Sequence, residues 1–579
     1  MDKTIAISRN VIDSFDLTGV ELGKSWLRDQ YQQTRDYFLA VPNDDMLFGF
    51  RQRAGLPSPG KAMGGWYSGD DRELWYSNGG NASTFGQWLS AFARMARATG
   101  DTAMRQKALC LLDEWAKTLA PDGFFGSMSR SGKAVVGHYN YDKMVCGLVD
   151  IAKYLDNRDA LRYLETITGW ASKNLGRIRR PAGVHNYFGA VYTRTGGEGE
   201  WYTLSENLYR AYQVTGDMTY KDFAQVWHYT TMWDDLAQGK DAYPYKHAYS
   251  HVNQLSSAAM AYAVTGDQHY LKAIVNGYDI LQKNHLYATG GFGPRETFFP
   301  AGGHLSRSLW DNVENHFHLA NFEAPCGTWA AFKICRYLIE FTGQARFGDW
   351  IERLVYNGIG ACLPMAGYGK TFYYADYKES GAAKRYYPEA WPCCSGTFPQ
   401  TVTEYHNLIY FKDAAGIYVN LFIPSRVRWE HGGSPVEIVQ ETSFPESEDV
   451  HLRVNAARYG RFALRFRVPG WVKRTVSVRV NGQLEAVTAR SGEWASIERE
   501  WHSGDVVDIR LPMELTYQPI EEVVPYQVAL TVGPVVLVRT SAARLDGDLA
   551  DPAAWIRPTD EPLTYAVHGN PADGVYRAY

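Results

Sequence analysis

The sequence lacks any long apolar run and any strong excess of charge of one sign. No window approaches the roughly 18 to 20 apolar residues of a membrane-spanning helix, and the segment Met1 to Arg9 lacks the uninterrupted apolar core of a secretory signal. The 59 basic and 63 acidic residues give a net charge of −4, so no overall field attracts the chain to nucleic acid or to an acidic membrane surface. We therefore predict a cytoplasmic protein whose partners include neither a membrane nor nucleic acid.

Cysteine is also scarce, with seven residues in a chain of 579. An odd number does not suit a disulfide framework and fits a reducing compartment better. Four of the seven lie in apolar stretches with a helical pattern, where we expect ordinary core thiols: Cys110, Cys146, Cys335 and Cys362. The other three cysteines therefore carry the information about function.

The adjacent pair Cys393 and Cys394 lies in the segment Trp-Pro-Cys-Cys-Ser-Gly-Thr, a sharp turn before a predicted helix. Glu323 and Cys326 are three residues apart at the head of an apolar segment, a spacing that places both on one face of a helix. Three thiolates and a carboxylate select Zn²⁺ over Mg²⁺ and Ca²⁺, and zinc would keep the thiols deprotonated. We therefore predict a Cys3Glu zinc site; the alternative is that the vicinal cysteines belong to the core.

From about residue 20 to residue 410 the apolar residues follow the pattern of amphipathic helices. A Thr-Gly-Asp turn recurs at 99–101, 215–217 and 265–267, with a weaker copy at 342–344. In each Thr-Gly-Asp turn the Gly can end one helix in the left-handed conformation and the Asp can cap the next. Helix pairs repeated in this way indicate an (α/α) toroid, with an open helical solenoid as the alternative.

After residue 410 the pattern changes from helical to alternating. Short segments rich in Val, Ile and aromatic residues predict strands of an antiparallel β-sandwich. The fold class is therefore multidomain α plus β: an N-terminal segment that pairs with the later sheets, an (α/α)6 toroid, a β-sandwich and the strands of a second small β-module, over residues 1–20, 21–410, 411–519 and 520–579. The sandwich is open to three roles, which are binding glycan, packing on the toroid and mediating a homodimer.

Glu296 ends the glycine-rich loop Thr-Gly-Gly-Phe-Gly-Pro-Arg-Glu and is followed closely by two phenylalanines. A carboxyl group held beside aromatic rings is desolvated, which raises its pKa towards the range that a general acid needs. The other interpretation is a surface carboxylate paired with Arg295.

Three histidines lie at predicted helix ends among Asn, Tyr and Asp residues, a setting that suits recognition of hydroxyl groups: His138, His185 and His251. Glu198 and Glu200 form a carboxylate pair in a glycine-rich approach to a helix. Each of the five also has an ordinary interpretation, as a satisfied histidine or a solvent-exposed carboxylate. The 18 Trp and 39 Tyr residues would serve either as stacking surfaces for sugar rings or as core.

With these residues in view, the chain resembles the zinc- and cysteine-dependent β-L-arabinofuranosidases of glycoside hydrolase family 127. The likeness covers most of the chain: a helical toroid, then β-sandwich modules, an acid after a Gly-Gly-Phe-Gly loop, a Glu and a Cys opening a helix, and a late Cys-Cys pair. It implies a retaining glycosidase with Glu296 as general acid/base and Cys393 as thiolate nucleophile. The zinc ligands that the resemblance implies are Glu323, Cys326, Cys393 and Cys394, and the histidines that it matches to sugar contacts are His138 and His251.

The chain departs from the family pattern in three places. The family commonly has Glu-x-Cys, whereas here Glu323 and Cys326 are separated by two residues, which would move the carboxylate relative to the metal. A histidine expected near Glu200 is replaced by Glu198. This position would contact substrate hydroxyl groups, so the natural sugar need not be L-arabinofuranose. The interval between Glu296 and Glu323 is longer than usual, and the rival site residues within it are Glu314, His316 and His318.

Three functions follow as hypotheses. The first is a zinc-dependent retaining exo-glycosidase acting on an oligosaccharide or other glycoside, with β-L-arabinofuranoside as the first substrate to test. The second is a carboxylate-only toroid glycosidase or uronyl hydrolase with structural zinc, in which Glu296 works with Asp311 or Glu314. The third is a non-catalytic glycan-binding protein. Replacing Cys393 separates the first two, because only the first predicts loss of activity with an intact fold.

Overall fold

A computed structural model describes most of the chain, in two groups of ranges. The helical part covers residues 9–68, 82–130, 132, 134, 136–175, 200–309, 321–362, 365–377 and 382–409, and the β part covers 410–456, 460–540, 547–548 and 551–579. None of the helices in these ranges combines the length and the apolar character that a membrane span requires.

The helical part holds the helices α1 to α17. They are α1 (Trp26–Ala40), α2 (Asn43–Arg53), α3 (Gly65–Ser68), α4 (Phe85–Thr99), α5 (Thr102–Ala116), α6 (His138–Leu155), α7 (Asp159–Asn174), α8 (Leu204–Thr215), α9 (Met218–Val226), α10 (Thr230–Ala237), α11 (Ala248–Asn253), α12 (Leu255–Thr265), α13 (Gln268–Asn284), α14 (His304–Ser308), α15 (Ala324–Thr342), α16 (Gly348–Asn357) and α17 (Cys394–Leu408).

The Thr-Gly-Asp turns join these helices as the sequence predicts. The glycine of each turn ends its helix in the left-handed conformation, at φ of 69°, 73° and 76° for Gly100, Gly216 and Gly266. The aspartate that follows accepts a backbone N–H from the first turn of the next helix, as Asp101, Asp217 and Asp267 do. Each turn thus closes a helical hairpin.

Helices α4, α6, α8, α12, α15 and α17 form a closed inner ring in the described part of the chain, each packing on the next and α17 packing on α4. An outer helix lies against every inner one: α5 on α4, α7 on α6, α9 on α8, α13 on α12, α16 on α15 and α1 on α17. The inner helices are buried on almost all sides, as a helix surrounded by other helices must be. The ring confirms the (α/α)6 toroid and excludes the open solenoid.

The inner helices all run in the same direction along the toroid. The first turns of α6, α15 and α17 lie at one end, which we call the site end because the predicted site residues are there. The C-terminal turns of the inner helices line a cavity at the opposite end, which we call the far end.

The strands of the described residues form four sheets. They are β1 (Asp13–Ser14), β2 (Val20–Leu22), β3 (Asn321–Glu323), β4 (Phe372–Asp376), β5 (Lys384–Tyr386), β6 (Tyr410–Asp413), β7 (Gly416–Val419), β8 (Ser425–His431), β9 (Ser434–Thr442), β10 (Asp449–Ala456), β11 (Gly460–Arg467), β12 (Ser477–Val480), β13 (Gln483–Leu484), β14 (Trp494–Trp501), β15 (Asp505–Arg510), β16 (Leu515–Pro519), β17 (Val528–Val532), β18 (Val535–Arg539), β19 (Ile556–Pro558), β20 (Thr564–Val567) and β21 (Val575–Ala578).

Two large sheets follow the toroid, in the orders β1-β6-β7-β11-β14 and β13-β12-β15-β10-β9-β8-β2. Their pairings are antiparallel, as predicted, with one exception: β7 and β11 are parallel. The exception arises because the chain leaves the first sheet for β8, β9 and β10 and returns in the same direction, which a hairpin cannot do. The N-terminal strands β1 and β2 pair with β6 and β8 and so tie the start of the described chain to both sheets.

A third sheet, β16-β17-β18-β21-β20-β19, closes the described chain and begins at Leu515. The fourth, β3-β4-β5, lies within the helical part and leads directly into α15. The sequence patterns do not indicate this small sheet, because β3 and β5 have only three residues each and β4 is buried at every position rather than alternating. The bounds of the four predicted segments remain a prediction.

Candidate functional site

The two cysteine segments meet at the site end of the toroid. The Sγ atom of Cys326 lies 3.6 Å from that of Cys393 and 3.4 Å from that of Cys394. A carboxylate oxygen of Glu323 lies 3.2 Å from Cys393 Sγ and 3.5 Å from Cys394 Sγ. Four side chains from two distant segments therefore form one cluster, which we call the thiol cluster.

Helix packing explains why these segments meet. Glu323 ends β3, where it pairs with Tyr374 of β4, and a proline in the first turn starts α15 immediately afterwards. Trp391, with a left-handed φ of 58°, turns the chain so that Cys393 becomes the N-cap of α17. Because α15 and α17 are neighbours in the inner ring, both helices direct their N-termini, which favour negative charge, at the thiol cluster.

The surroundings shift the pKa values of the three thiols in different directions. Burial alone would raise the pKa of Cys393, but hydrogen bonds from Cys326, Cys394 and Tyr373 hold that pKa well below its usual value. Burial raises the pKa of Cys326 and of Cys394 well above the usual value. Cys393, which is also the only one of the three that is not fully buried, is therefore the thiol that most readily becomes a thiolate.

The donor set of the thiol cluster fits a thiophilic metal ion. One ligand atom from each residue of the cluster lies within 4.8 Å of the others. The second carboxylate oxygen of Glu323 is buried and has no hydrogen-bond partner among the described residues, and the pKa of Glu323 is raised by burial and by the negative charges of Cys393 and Glu296. A cation bound here would give the buried carboxylate oxygen a partner and would offset the repulsion between the negative charges.

Glu296 lies beside the thiol cluster, with its carboxylate within 4.8 Å of a carboxylate oxygen of Glu323. The side chain is 3% exposed, so it is not the surface carboxylate of the alternative interpretation. Glu296 and Arg295 both have left-handed backbone conformations, with φ of 55° and 56°. Such conformations are costly for residues other than glycine and are commonly found where function requires a fixed side chain.

Strand β4 places two adjacent tyrosines, Tyr373 and Tyr374, at the site. The hydroxyl of Tyr373 lies 3.5 Å from Cys393 Sγ, and the hydroxyl of Tyr374 donates a hydrogen bond to Oε1 of Glu296. Neighbours on a regular strand point to opposite faces, but the register with β5 shifts between Phe372 and Tyr374. Neither tyrosine is among the site residues predicted from the sequence, where the Tyr-Tyr doublet is a weak signal that also occurs at 386–387.

His247 is a further residue that the sequence analysis missed. Its Nε2 atom lies 3.6 Å from Oε2 of Glu296, and its Nδ1 atom lies 3.8 Å from Oε1 of Glu200. Burial lowers the pKa of His247, but the contact with Glu296 and the charge of Glu200 outweigh burial and raise it. Its spacing of four residues from His251, one turn of a helix, was the available signal.

Glu200 precedes a short 3-10 helix and is half-buried, with 18% of its side chain exposed, contrary to its default interpretation as an exposed carboxylate. Burial raises its pKa to about 7, although the charges of His247 and Lys143 act in the opposite direction. This carboxyl group therefore changes its protonation state near neutral pH.

The two described histidines of the predicted sugar site are also at the site end. His138 is the first residue of α6, is 3% exposed and packs its ring edge against Trp227. His251 Nδ1 lies 2.8 Å from the carbonyl oxygen of His247, and its ring lies 4.6 Å from that of Tyr202. The predicted residues outside the described ranges are His185 and Glu198, together with the rivals Asp311, Glu314, His316 and His318.

The protein is a toroid of six helical hairpins followed by antiparallel sheets, with a thiol cluster and a carboxyl group at one end of the ring. Such a fold carries many activities, and comparison with protein families gives the class of this one. The model described as Beta-L-arabinofuranosidase, GH127 catalytic domain, matches residues 19–407, and the model of the GH127 middle domain matches residues 416–513. The chain belongs to glycoside hydrolase family 127, which confirms the resemblance, and it is a glycoside hydrolase.

Solved structures share the fold. A GH127 β-L-arabinofuranosidase of Geobacillus stearothermophilus T6 is 20% identical, with a TM-score of 0.64 over 90% of this chain and 86% of that one. Another GH127 β-arabinofuranosidase is 20% identical, with a TM-score of 0.66 over 91% and 85% of the two chains. Comparison with curated protein sequences gives no match.

Proposed function

We propose that this protein is a retaining exo-glycosidase that removes a terminal sugar, with β-L-arabinofuranoside as the first candidate substrate. One observation carries the proposal: Cys393 is the thiol that its surroundings favour as thiolate, and it lies in one cluster with a carboxylate that neighbours the buried Glu296. A nucleophile and a carboxyl group placed together are what double displacement at an anomeric carbon requires.

In the first step, the Sγ atom of Cys393 attacks the anomeric carbon while Glu296 donates its proton to the leaving oxygen. The C–O bond breaks, a C–S bond forms, and the aglycone leaves as an alcohol. In the second step, Glu296 takes a proton from water, the water oxygen attacks the same carbon, and Cys393 leaves as thiolate. Two inversions at one carbon give retention of configuration.

Tyr373 and Tyr374 assist these steps through their hydroxyl groups. The Tyr373 hydroxyl lies beside the sulfur that must carry negative charge before attack and after departure. The Tyr374 hydroxyl donates to Oε1 of Glu296 and so helps to hold this carboxyl group in place. Both hydroxyls are held on one short strand, so the nucleophile and the acid keep a fixed relation.

The proposed metal ligands are Glu323, Cys326, Cys393 and Cys394, and the proposed metal is Zn²⁺. When bound, zinc supplies positive charge that keeps the thiols ionised at neutral pH. The chain supplies the orientation of the four ligands, through the N-termini of α15 and α17. We assign His138, His251 and Glu200 to the sugar-binding wall around the cluster, where neutral imidazoles and a carboxylate suit hydroxyl groups.

The test is a screen of 4-nitrophenyl furanosides and pyranosides with the wild type, Cys393→Ala and Glu296→Gln, together with a metal analysis of each. We expect hydrolysis of a furanoside by the wild type, one bound zinc ion, and loss of turnover in Cys393→Ala with the fold intact. Cys110→Ala is the matched control, because that thiol is half-buried on the outer helix α5. Full activity in Cys393→Ala would favour the carboxylate-only hypothesis, and binding without hydrolysis of any glycoside would favour the glycan-binding hypothesis.

A further inference from the structure

His247 contacts the proposed acid/base but has no role in the two chemical steps above. Its Nε2 atom faces Oε2 of Glu296 at 3.6 Å, an ion-pair distance somewhat longer than a hydrogen bond. Catalytic contacts of this kind often tighten when substrate binds. The side chain is 19% exposed, against 3% for Glu296, so the histidine lies between the buried acid and the outer part of the site.

The backbone fixes the position of His247 relative to Glu296. His247 and Thr297, the residue that follows Glu296, form an antiparallel bridge. Next to the bridge, Phe298 donates its N–H to the carbonyl of Lys246, and the carbonyl of Phe298 accepts the N–H of Tyr245. The segments that carry the histidine and the acid are therefore joined through main-chain hydrogen bonds.

The hydrogen on the ring of His247 can be assigned from the start of α11. His247 is the N-cap of this helix: Nδ1 accepts the backbone N–H of Ser250 at 3.4 Å, and the Ser250 hydroxyl lies 2.8 Å from the same atom. In a neutral imidazole one nitrogen accepts and the other donates. Nε2 therefore carries a hydrogen in the neutral ring, and it does so in the protonated ring as well. In both charge states the N–H group faces Glu296.

Glu296 thus has a donor group facing each carboxylate oxygen, Tyr374 at Oε1 and His247 at Oε2. We propose that His247 is a positioning residue, which sets the plane of the Glu296 carboxyl group so that its proton reaches the leaving oxygen. This inference rests on the proposed function of Glu296. It predicts that the contribution of His247 to kcat/KM, which reports the first chemical step, appears only where protonation of the leaving group limits that step.

Two substitutions separate positioning from helix capping. Asn places an oxygen where Nδ1 lies and can still cap α11, but it has no group that reaches Glu296. Gln places an N–H group near the position of Nε2 but is a poor N-cap. We expect His247→Asn to lower kcat/KM about 10- to 100-fold on a glycoside with an alkyl leaving group, whereas His247→Gln retains several-fold more activity. If capping were the role of His247, Asn would be the better replacement, and that order would overturn the proposal.

The leaving group provides an independent readout. The 2,4-dinitrophenolate of a 2,4-dinitrophenyl glycoside departs without a proton, so we expect the kcat/KM of His247→Asn on this substrate to approach the wild-type value. His247→Asn combined with Glu296→Gln should lose no more than Glu296→Gln alone on the alkyl glycoside, because both changes act on the same proton transfer. Equal losses on the two glycosides, or losses that multiply in the double variant, would overturn the proposal.

His285→Asn is the matched control, because this buried histidine contacts the ring of Phe298 in the same loop but binds Asp241 through Nε2. In this variant we expect the change in kcat/KM to be the same for both leaving groups. If the change depended on the leaving group as it does in His247→Asn, the cause would be a general disturbance of the loop. Melting temperatures check that all variants are folded. If Glu296 were not the general acid, Glu296→Gln would itself show no dependence on the leaving group. This result distinguishes failure of the proposed function from failure of the role proposed for His247.

Discussion

The two ends of the toroid bury ionisable side chains in opposite ways. At the far end, Arg94 binds Asp150 and Glu404, Arg210 binds Asp150, and Lys333 binds Glu206, so that each charge has a partner of opposite sign. At the site end, three thiols and the carboxyl groups of Glu323 and Glu296 lie together and repel one another when ionised.

The direction of the inner helices accounts for part of this difference. Their N-termini carry partial positive charge and face the thiols and carboxylates, and their C-termini carry partial negative charge and face the arginines and lysines. The helix termini only partly offset repulsion at the site end, where a cation would complete the balance. The far end therefore serves stability, and the site end keeps an unfavourable arrangement that function uses.

The largest effect is expected when the metal is removed from the site end. Chelation should lower activity by at least about 1000-fold, because the thiols would regain protons. It should also lower the free energy of unfolding by about 4 kcal/mol if the metal is present at a thousand times its Kd. Calorimetry with and without added zinc measures this change, and Cys326→Ser should not respond to chelator. If the chelated protein kept its turnover and its melting temperature, a cation would not be what balances the negative charges at the site end.

At the far end, Asp150→Asn should lower the free energy of unfolding by about 3 to 5 kcal/mol, because Arg210, which is 13% exposed, would lose its anionic partner and the buried Arg94 would keep only Glu404. Urea unfolding measures the loss, and kcat/KM per folded molecule should stay near the wild-type value. Glu441→Gln is the control: it breaks an exposed pair with Arg453 and should cost less than about 1 kcal/mol. Equal losses in the two variants would remove the distinction between buried and exposed pairs.

His406, near the end of α17, gives the far end a dependence on pH. Burial lowers its pKa to about 4 from 6.5, so the folded protein keeps the ring neutral. Between these pH values only the unfolded chain binds the proton, and stability present above pH 6.5 is lost as pH falls, by about 3 kcal/mol in total. Urea unfolding measured at several pH values should show that the free energy of unfolding of His406→Gln changes less with pH than that of the wild type. An unchanged pH dependence in this variant would exclude His406 as the cause.

Tyr374→Phe should have the smallest effect, a loss of about 10-fold in kcat/KM with little change in stability. The substitution removes the hydroxyl that donates to Glu296 and keeps the packing of the ring on Tyr373. Tyr386→Phe, on the adjacent strand β5, is the control and should keep wild-type kinetics. If both variants lose activity equally, the effect comes from the sheet and not from the contact with Glu296.

Much of the fold is predictable from local patterns. The Thr-Gly-Asp turns mark hairpins because glycine tolerates the left-handed conformation and aspartate caps a helix, and both effects act within four residues. The alternating pattern after residue 410 predicts sheets for the same local reason. The parallel pair β7–β11 was not predictable, because it depends on the path of the chain between two sheets.

The thiol cluster was predictable because metal preference is a property of the ligand atoms themselves. The contacts of Tyr373, Tyr374 and His247 were not. Two of them depend on a register shift in β4, and the third on a bridge between segments 50 residues apart in the chain.

The sequence by itself determined the hairpins, the sheets and the chemical character of a cysteine and glutamate site, since each follows from residue type and short-range geometry. Only the tertiary structure decided that all inner helices present their N-termini at the same end, that Cys393 is the favoured thiolate and that His247 faces Glu296. Those features depend on distances between residues far apart in the chain, and closing the ring fixes those distances.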